Sequence, residues 1–284
     1  MKLTVCAAQM EIETRNVEKN LAKAQAFARE ATEGEGCHFL CYPELFLTGA
    51  LGRADRELFQ TVPGPFTDIF CDMAARYGIH IVMGSITEID GDRIYNTSVL
   101  IDDRGSIIGS YRKMNLWCGE KLFNTPGNTP GVFDTRWGKV GIQICWDIAF
   151  PEVSRSIAAA GARVIFCPTL WTHDDRYSYI NGMKEAEQLR RRIPDVDTEE
   201  IFIHTCVAAR AIENCSAVIL VNGCGKTDIL NQTHTLVGHT QVGLPFYGRW
   251  KFLAAEERLL TVEIDTELLD LAETAYHIFE DLGR

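Results

Sequence analysis

The stretch Lys139-Val-Gly-Ile-Gln-Ile-Cys145-Trp-Asp-Ile-Ala-Phe-Pro-Glu152 contains an apolar, β-branched run that stops abruptly at a cysteine. The run 139–144 is typical of a buried strand. Pro151, which precedes Glu152 and an alanine-rich segment, is typical of a first helical turn. The sequence therefore predicts a sharp strand-to-helix turn that carries the Cys145 thiol. Because backbone N–H groups and the helix dipole at such a turn favour a thiolate, Cys145 is a candidate nucleophile.

Strand-like and helix-like segments alternate along most of the 284 residues. The predicted strands are 3–9, 38–42, 80–89, 97–102, 106–113, 139–144, 163–168 and 216–222. Predicted helices begin near Val17, Pro65, Pro151 and Thr198, and Gly78 ends the second of them. Adjacent strands mixed with strand–helix units favour two mixed sheets with helices on their outer faces. We expect a single α/β domain over 1–284, in which the polar segment 172–197 is a possible lid or insertion.

The composition excludes several classes of function. Lysine and arginine number 28 against 39 acidic residues, and the net charge of −11 argues against binding to nucleic acid or to an anionic membrane. No apolar stretch reaches the roughly 18–20 residues that a membrane span needs, and the first residues lack a signal-peptide pattern. The ten cysteines are scattered and form no Cys-x-x-Cys pair. We therefore expect reduced thiols, no structural zinc site and a cytoplasmic location.

Three ionisable residues at or just past predicted strand ends complement the candidate nucleophile. Glu44 follows an apolar strand, where partial burial suits a base that takes a thiol proton. Lys113 ends the segment 106–113, and its charge can stabilise a developing oxyanion. Glu120 follows shortly after. Taken alone, each of these residues is typical of a charged side chain that reaches solvent at the end of a strand. Together with Cys145, the three residues indicate a catalytic site.

These residues lie in four blocks that resemble the signature blocks of the nitrilase superfamily, the carbon–nitrogen hydrolases. The blocks are Pro43-Glu-Leu-Phe-Leu-Thr-Gly49, Tyr111-Arg-Lys113, Glu120 ahead of Pro126-Gly127, and Gly141-Ile-Gln-Ile-Cys145-Trp-Asp-Ile-Ala-Phe-Pro-Glu152. The resemblance covers nearly the whole chain in order. It implies a four-layer α-β-β-α sandwich, pairing as a homodimer through outer helices, and a catalytic set of Glu44, Lys113 and Cys145. It also implies that Glu120 positions the substrate.

The residue types define a covalent hydrolysis. Glu44 takes the proton of Cys145, and the thiolate attacks an amide or nitrile carbon. The oxyanion forms between Lys113 and the backbone N–H of Trp146. Glu44 then protonates the leaving amine and activates the water that hydrolyses the thioester. The expected partner is a small-molecule amide, and the scheme needs no metal and no organic cofactor.

The residues after the nucleophile favour an amide over a nitrile. Trp146-Asp147 differs from the Cys-Trp-Glu of true nitrilases and resembles the Cys-Trp-Asp of some carbamoyl amine amidohydrolases. The arginines that N-carbamoyl amino-acid hydrolases carry there are replaced by Ile148 and Ala149. Nitrile hydrolysis and N-carbamoyl amine hydrolysis stay open as alternatives. A catalytically silent binding protein is a third.

Three residues are predicted to contact the substrate: Trp146, Trp171 and His173. The last two follow the strand after the nucleophile helix, so they are expected to face the pocket. The acidic pair Asp174-Asp175 suits an amine-bearing substrate, whereas Arg176 or the cluster 190–192 suits a carboxylate. Solvated loop charges are the simpler interpretation of both.

Overall fold

Two large β-sheets lie face to face between outer helices in a computed structural model, which describes residues 1–33, 36–173, 188, 191–192, 196–229 and 232–281. The strands are β1 (Lys2–Gln9), β2 (Phe39–Cys41), β3 (His80–Val82), β4 (Ile86–Asp90), β5 (Arg93–Ile101), β6 (Ile107–Arg112), β7 (Gly131–Thr135), β8 (Gly138–Ile142), β9 (Val164–Thr169), β10 (Ala217–Asn222), β11 (Lys226–Ile229), β12 (Gln232–Thr235), β13 (Gln241–Leu244), β14 (Gly248–Phe252) and β15 (Arg258–Asp265). The helices are α1 (Val17–Glu33), α2 (Pro65–Tyr77), α3 (Pro151–Ala159), α4 (Thr198–Glu213), α5 (Thr266–Tyr276) and α6 (Ile278–Asp281). This arrangement confirms the predicted four-layer α-β-β-α sandwich of two mixed sheets.

Both sheets have a parallel centre and antiparallel flanks. The first sheet runs in the order β15-β1-β2-β3-β5-β4, with β6 paired to β5, and its strands β1, β2 and β3 are parallel. The second sheet runs in the order β14-β13-β10-β9-β8-β7, and its strands β8, β9 and β10 are parallel. Ligands of open α/β sheets bind beyond the carboxyl ends of the parallel strands. The loops after β2, β8 and β9 are therefore the places to look for a site.

Strand β1 shows how sequence alternation builds the layers. Val5 and Ala7 belong to the core that also contains the buried strands of the second sheet. Cys6 and Ala8 belong to the core beneath α1 and α2. Because successive side chains of a strand point to opposite faces, a run that is apolar on both faces is buried on both. The first sheet is thereby covered by the second sheet on one face and by helices on the other.

Helix α2 begins and ends where the sequence predicts. Pro65 occupies the first turn, and Gly78 closes the helix in the left-handed region with φ 64°. Asp197 caps the first turn of α4, because its side chain accepts hydrogen bonds from the backbone N–H groups of Glu199 and Glu200, both at 3.0 Å. Among the described residues, no helix is long and apolar enough to cross a membrane.

The predicted single strand 80–89 is wrong, because the chain forms β3 and β4 with a turn at Gly84 between them. Gly84 has φ 39°, and a Cβ at this position would lie 1.9 Å from the carbonyl oxygen of Pro43. The flanking residues Met83 and Ser85 are buried, so the hydrophobic pattern runs through the turn without a break. The Ser85 hydroxyl accepts a hydrogen bond from the Leu45 N–H at 3.1 Å. The unpredicted turn therefore supports the loop that carries Glu44.

Candidate active site

Residues from both sheets converge on one cavity of about 600 Å³. Glu44 comes from the loop after β2, Lys113 follows β6, and Cys145 follows β8. Glu120 lies in a short 3-10 helix, Cys118–Leu122. All four residues predicted to be catalytic line this cavity. The structure therefore brings together groups that are up to 101 positions apart in the sequence (145 − 44).

Lys113 lies between two carboxylates. Its Nζ donates to Glu44 Oε1 at 2.8 Å and lies 2.7 Å from Glu120 Oε2. The side chains of Lys113 and Glu44 are 1% and 4% exposed. Burial alone would lower the pKa of Lys113, but the charges of Glu120 and Glu44 outweigh it and hold that pKa well above its usual value. Lys113 therefore stays an ammonium ion across the neutral pH range.

Asn96 on β5 joins the two glutamates, and the local sequence pattern did not predict this role. Its Nδ2 donates to Glu44 Oε1 and to Glu120 Oε1, both at 2.7 Å. Its backbone carbonyl accepts the N–H of Lys113 at 2.9 Å. The predicted strand began at residue 97, so Asn96 fell outside it. The available signal was a polar amide next to the strand-like run, which is costly to bury unless it has partners.

The predicted strand-to-helix turn at Cys145 is present, in a modified form. Cys145 has φ 48° and begins a 3-10 helix, Cys145–Ala149, while α3 begins separately at Pro151. Any stabilisation of the thiolate by this turn is outweighed by the surroundings of the sulfur. Burial raises the pKa of the Cys145 thiol well above its usual value, and the negative charge of Glu44 adds to this, whereas Lys113 opposes it. A second buried negative charge beside Glu44 costs more than one short turn offsets, so the resting site holds a neutral thiol.

Asp147 fixes the nucleophile turn against the strand end that carries Lys113. Its Oδ2 accepts hydrogen bonds from the Ile144 N–H at 2.9 Å and the Tyr111 hydroxyl at 2.7 Å. Its Oδ1 accepts the backbone N–H and the Nδ2 of Asn115 at 2.8 and 2.9 Å. Burial raises the pKa of Asp147, and these donors counteract the shift. The sequence showed Asp147 only as part of a motif, because partners 32 and 36 positions away are invisible to local patterns.

An aromatic wall faces the thiol. Trp146 and Trp171, both predicted to contact the substrate, line the cavity. Each stacks on Phe202 of α4, with ring centroids 5.6 and 5.5 Å apart. Trp171 Nε1 donates to Glu199 Oε2 at 2.7 Å, and Glu199 also lines the cavity. The sequence analysis did not single out Glu199 or Phe202, which lie on α4, far along the chain from Cys145.

His173 takes a different position from the one expected. It is not among the described residues that line the cavity, and its Nδ1 lies 2.6 Å from Asp197 Oδ2. Asp174, Asp175, Arg176 and most of the segment 172–197 lie outside the described residues, as does the first position of the cluster 190–192.

A second cavity of about 750 Å³ adjoins the first and shares five lining residues with it: Leu45, Ala50, Trp117, Glu120 and Ile229. Arg15 lines this second cavity. Its guanidinium is paired with Asp55 through Nε–Oδ1 and Nη2–Oδ2 contacts of 2.5 and 2.9 Å. The pairing offsets the positive charge that Arg15 brings to the neighbourhood.

The class of the protein follows from comparison with a known family. The carbon-nitrogen hydrolase family model matches residues 4–273, and the chain therefore belongs to that family. This confirms the resemblance seen in the four sequence blocks, and it identifies the chain as an enzyme of the carbon–nitrogen hydrolase class.

Individual relatives carry both nitrilase and amidase names. A nitrilase of Pyrococcus abyssi is 40% identical over 169 residues, which are 58% of this chain and 63% of that protein. An N-carbamoylputrescine amidase of Solanum lycopersicum is 34% identical over 301 residues and covers 98% of this chain and 91% of that protein. A solved structure of an amidase variant from Nesterenkonia sp. has a TM-score of 0.73 at 24% identity, covering 97% and 95% of the two chains. At that identity the likeness shows the fold alone.

Proposed function

We propose that this chain hydrolyses a small carboxamide or carbamoyl amide to an acid and ammonia through a thioester on Cys145. The observation that carries the proposal is the buried Lys113 ammonium held between Glu44 and Glu120 at 2.8 and 2.7 Å in the cavity that contains the thiol. A base, a cation and a nucleophile within one site are the requirements of covalent acyl transfer.

Glu44 is the proposed base. Burial and the charge of Glu44 raise the pKa of the Cys145 thiol, so the sulfur needs a base, and Glu44 takes its proton as the sulfur attacks the substrate carbon. The carbonyl oxygen then becomes an oxyanion between the Lys113 ammonium and the backbone N–H of Trp146. One donor of this kind is worth about 2.7–4 kcal/mol of transition-state stabilisation. Lys113 is suited to this role because its charge persists.

The tetrahedral intermediate collapses when its C–N bond breaks. Protonated Glu44 delivers its proton to the departing nitrogen, ammonia leaves, and the acyl group stays on sulfur. A water molecule then loses a proton to Glu44 and attacks the thioester carbon, after which the C–S bond breaks and the thiol regains a proton. The net reaction consumes one amide and one water and yields one acid and one ammonia. Glu120 and Asn96 act in this scheme by positioning Lys113 and Glu44.

The charge of the cavity favours a substrate whose distal group is neutral or cationic. The described lining residues include three carboxylates, on Glu44, Glu120 and Glu199, against the single ammonium of Lys113, and no arginine or histidine. Glu199 lines the cavity on the side of the aromatic wall and accepts the Trp171 indole N–H. This specific observation favours an N-carbamoyl amine or an amino amide as the second candidate substrate, and the similarity to an N-carbamoylputrescine amidase agrees with it.

Ammonia release from matched substrates tests the proposal. The panel contains short aliphatic amides, ω-amino amides, carbamoyl amines and half-amides of dicarboxylic acids, with nitriles as controls. We expect amide turnover that Cys145→Ala abolishes while its circular dichroism spectrum stays that of the parent. Turnover of nitriles alone would make the chain a nitrilase. Absence of turnover with every substrate would favour a catalytically silent binding protein.

Glu199→Gln tests the substrate charge separately. We expect kcat/KM for a cationic amide to fall about tenfold, the effect of about 1.4 kcal/mol, while kcat/KM for a neutral amide of equal length changes little. An equal loss for both substrates would show that Glu199 supports the wall through Trp171 and does not select charge.

The assembly, the cellular location and the lid stay predictions. We propose a homodimer, which analytical ultracentrifugation tests, and a cytoplasmic location, which fractionation of the source cells tests. A lid formed by part of 172–197 predicts that limited proteolysis within this segment slows when substrate is bound.

A further inference from the structure

A second polar cluster lies on the far side of the aromatic wall and takes no part in the proposed hydrolysis. Glu200 and His204 are four residues apart on α4, so their side chains lie on the same face of the helix. His239 belongs to the Gly238-His-Thr240 turn ahead of β13 and has φ 52°. All three side chains are half-buried.

The three side chains aim their ligand atoms at one another. His204 Nε2 lies 3.0 Å from His239 Nδ1, and Glu200 Oε1 lies 3.5 Å from the same nitrogen. One such atom from each residue lies within 4.8 Å of the other two. In a tetrahedral zinc site with bonds of about 2.0–2.2 Å, neighbouring ligand atoms are about 3.3–3.5 Å apart. The spacing therefore fits three corners of a zinc tetrahedron without a large movement of any side chain.

The chemistry of the donors also fits zinc. Two imidazole nitrogens and one carboxylate oxygen are common zinc ligands. The short contact between the two rings requires one nitrogen to donate and the other to accept, so at least one ring is neutral and presents a lone pair. A zinc ion can replace this single hydrogen bond by two metal–nitrogen bonds if the donating ring releases that proton to solvent or moves it to its other nitrogen.

Two carboxylates and one guanidinium lie at or near the cluster of Glu200, His204 and His239. Asp197 lies next to the cluster, and the atoms of His173, Asp197 and Glu200 form a second group within 4.8 Å that shares Glu200 with the first. Arg249 supplies an opposing positive charge near the two histidines. Its guanidinium carbon lies 3.8 Å from the ring centroid of Phe252. The two nearby carboxylates outnumber this one cation.

Although the cysteine pattern predicts no structural zinc site, we propose that Glu200, His204 and His239 bind a zinc ion that joins the first turns of α4 to the turn before β13. Glu199, the neighbour of Glu200, lines the substrate cavity and accepts the Trp171 indole N–H. Glu200, His204 and His239 are not among the described residues that line the cavity, so the proposed ion is placed to brace the wall of the cavity. This inference does not depend on the proposed function, since it concerns binding of a metal by residues outside the hydrolytic scheme.

A zinc titration of the full chain tests the proposal. The chelator-treated protein is titrated with Zn²⁺ alone in competition with a chromogenic chelator, and Co²⁺ is used in parallel for its visible spectrum. We expect one equivalent of Zn²⁺ per chain and a Co²⁺ spectrum of the tetrahedral type. The same titration in Cys145→Ala removes the catalytic thiol as a ligand, and the equivalent is expected to remain.

Single substitutions assign the site. His204→Ala and His239→Ala are expected to lose the equivalent, whereas His277→Ala, at an exposed histidine paired with Glu280, is expected to keep it. Glu200→Gln, which preserves the shape of the side chain, is expected to weaken zinc binding at least tenfold and covers the case in which an alanine variant does not fold. Absence of zinc binding by the parent chain, or binding that persists in Glu200→Gln and His204→Ala alike, overturns the proposal.

Discussion

The two sheets contribute different chemistry to the cavity. The first sheet supplies charge, because Glu44, Asn96 and Lys113 belong to it or follow its strands and are joined by contacts of 2.7–2.8 Å. The second sheet supplies the Cys145 thiol and the Trp171 wall, which follow β8 and β9. Hydrogen bonds among Glu44, Asn96 and Lys113 hold these three side chains in place. The pKa of the Cys145 thiol is raised, so the thiol is neutral. Activity therefore depends on how accurately the two sheets are held together.

Two carboxylates make that connection. Glu44 bonds to first-sheet groups through Oε1 and accepts the Leu170 N–H, just after β9, through Oε2 at 2.8 Å. Asp147 accepts from Tyr111 of β6 and from Ile144 beyond β8. A carboxylate lies at each of these two contacts between the sheets: Glu44 is the proposed base, whereas Asp147 only holds other groups in place. Substitutions on each side of the interface separate these roles.

The largest effect is expected from Lys113→Met, which breaks the charged set of the first sheet. Two carboxylates would lose their buried counter-ion, at a cost of about 3–5 kcal/mol in the free energy of unfolding. Loss of the oxyanion cation should lower kcat by about 10²–10³-fold. Urea unfolding and ammonia release measure both quantities. Lys121→Met, at an exposed neighbouring lysine, should change neither, and retention of parental kcat by Lys113→Met would remove the lysine from the mechanism.

A smaller effect is expected from Glu120→Gln, which keeps the shape of the charged set and removes one of its charges. The chain should fold, since Lys113 retains Glu44 as a partner at 2.8 Å. Misplacement of Lys113 should lower kcat/KM by about 10²-fold. Steady-state kinetics on one amide measure it, with the exposed Glu152→Gln as the control. Unchanged kinetics would show that Glu120 does not position Lys113 for catalysis and is only a charged residue at the edge of the cavity.

Asp147→Asn tests the joint on the thiol side. The amide cannot accept from all four donors that the carboxylate serves, so a loss of about 1–3 kcal/mol in stability is expected. The displaced turn should lower kcat by about tenfold with little change in KM. Asp134→Asn on β7, an exposed position, is the control. A change in KM alone would mean that Asp147 shapes the substrate pocket and does not position Cys145.

The smallest effect concerns the pH dependence of the first sheet's stability. His38 Nδ1 accepts the Thr4 N–H at 2.8 Å, and burial lowers the pKa of His38 below its usual 6.5. Below pH 6.5 the unfolded chain binds a proton that the folded chain resists, so the stability present above that pH is lost as the pH falls through the folded pKa. His38→Gln, whose carbonyl can accept the same N–H, should shrink the difference in urea midpoint between pH 8 and pH 5. An undiminished difference would assign the acid sensitivity to other groups.

Much of the layer structure is predictable because it is encoded locally. The alternation of Val5 and Cys6 places β1 between two cores, and Pro65 and Gly78 mark the ends of α2 through their own backbone preferences. Glu44 and Cys145 stood out because each charged or reactive group directly follows an apolar run. Such signals need no knowledge of the rest of the chain.

The features that were missed depend on contacts between distant segments. The break at Gly84 is imposed by the Pro43 carbonyl, which lies 41 positions earlier in the sequence (84 − 43). Asn96 acquires its role from carboxylates 52 and 24 positions away. The raised pKa of the Cys145 thiol reflects burial and the nearby Glu44, which outweigh the local turn that the sequence shows. The local sequence around Cys145 shows neither the burial of the thiol nor the presence of Glu44 beside it.

Rapid-quench intact-mass measurement of the chain during turnover of an amide substrate tests the central claim most directly. We predict a transient mass increase equal to the mass of the substrate minus that of ammonia, which peptide mapping locates on Cys145. In Cys145→Ala we expect neither this mass increase nor any release of ammonia. Ammonia released while Cys145 stays unmodified at every quench time, with turnover retained by Cys145→Ala, would contradict the account.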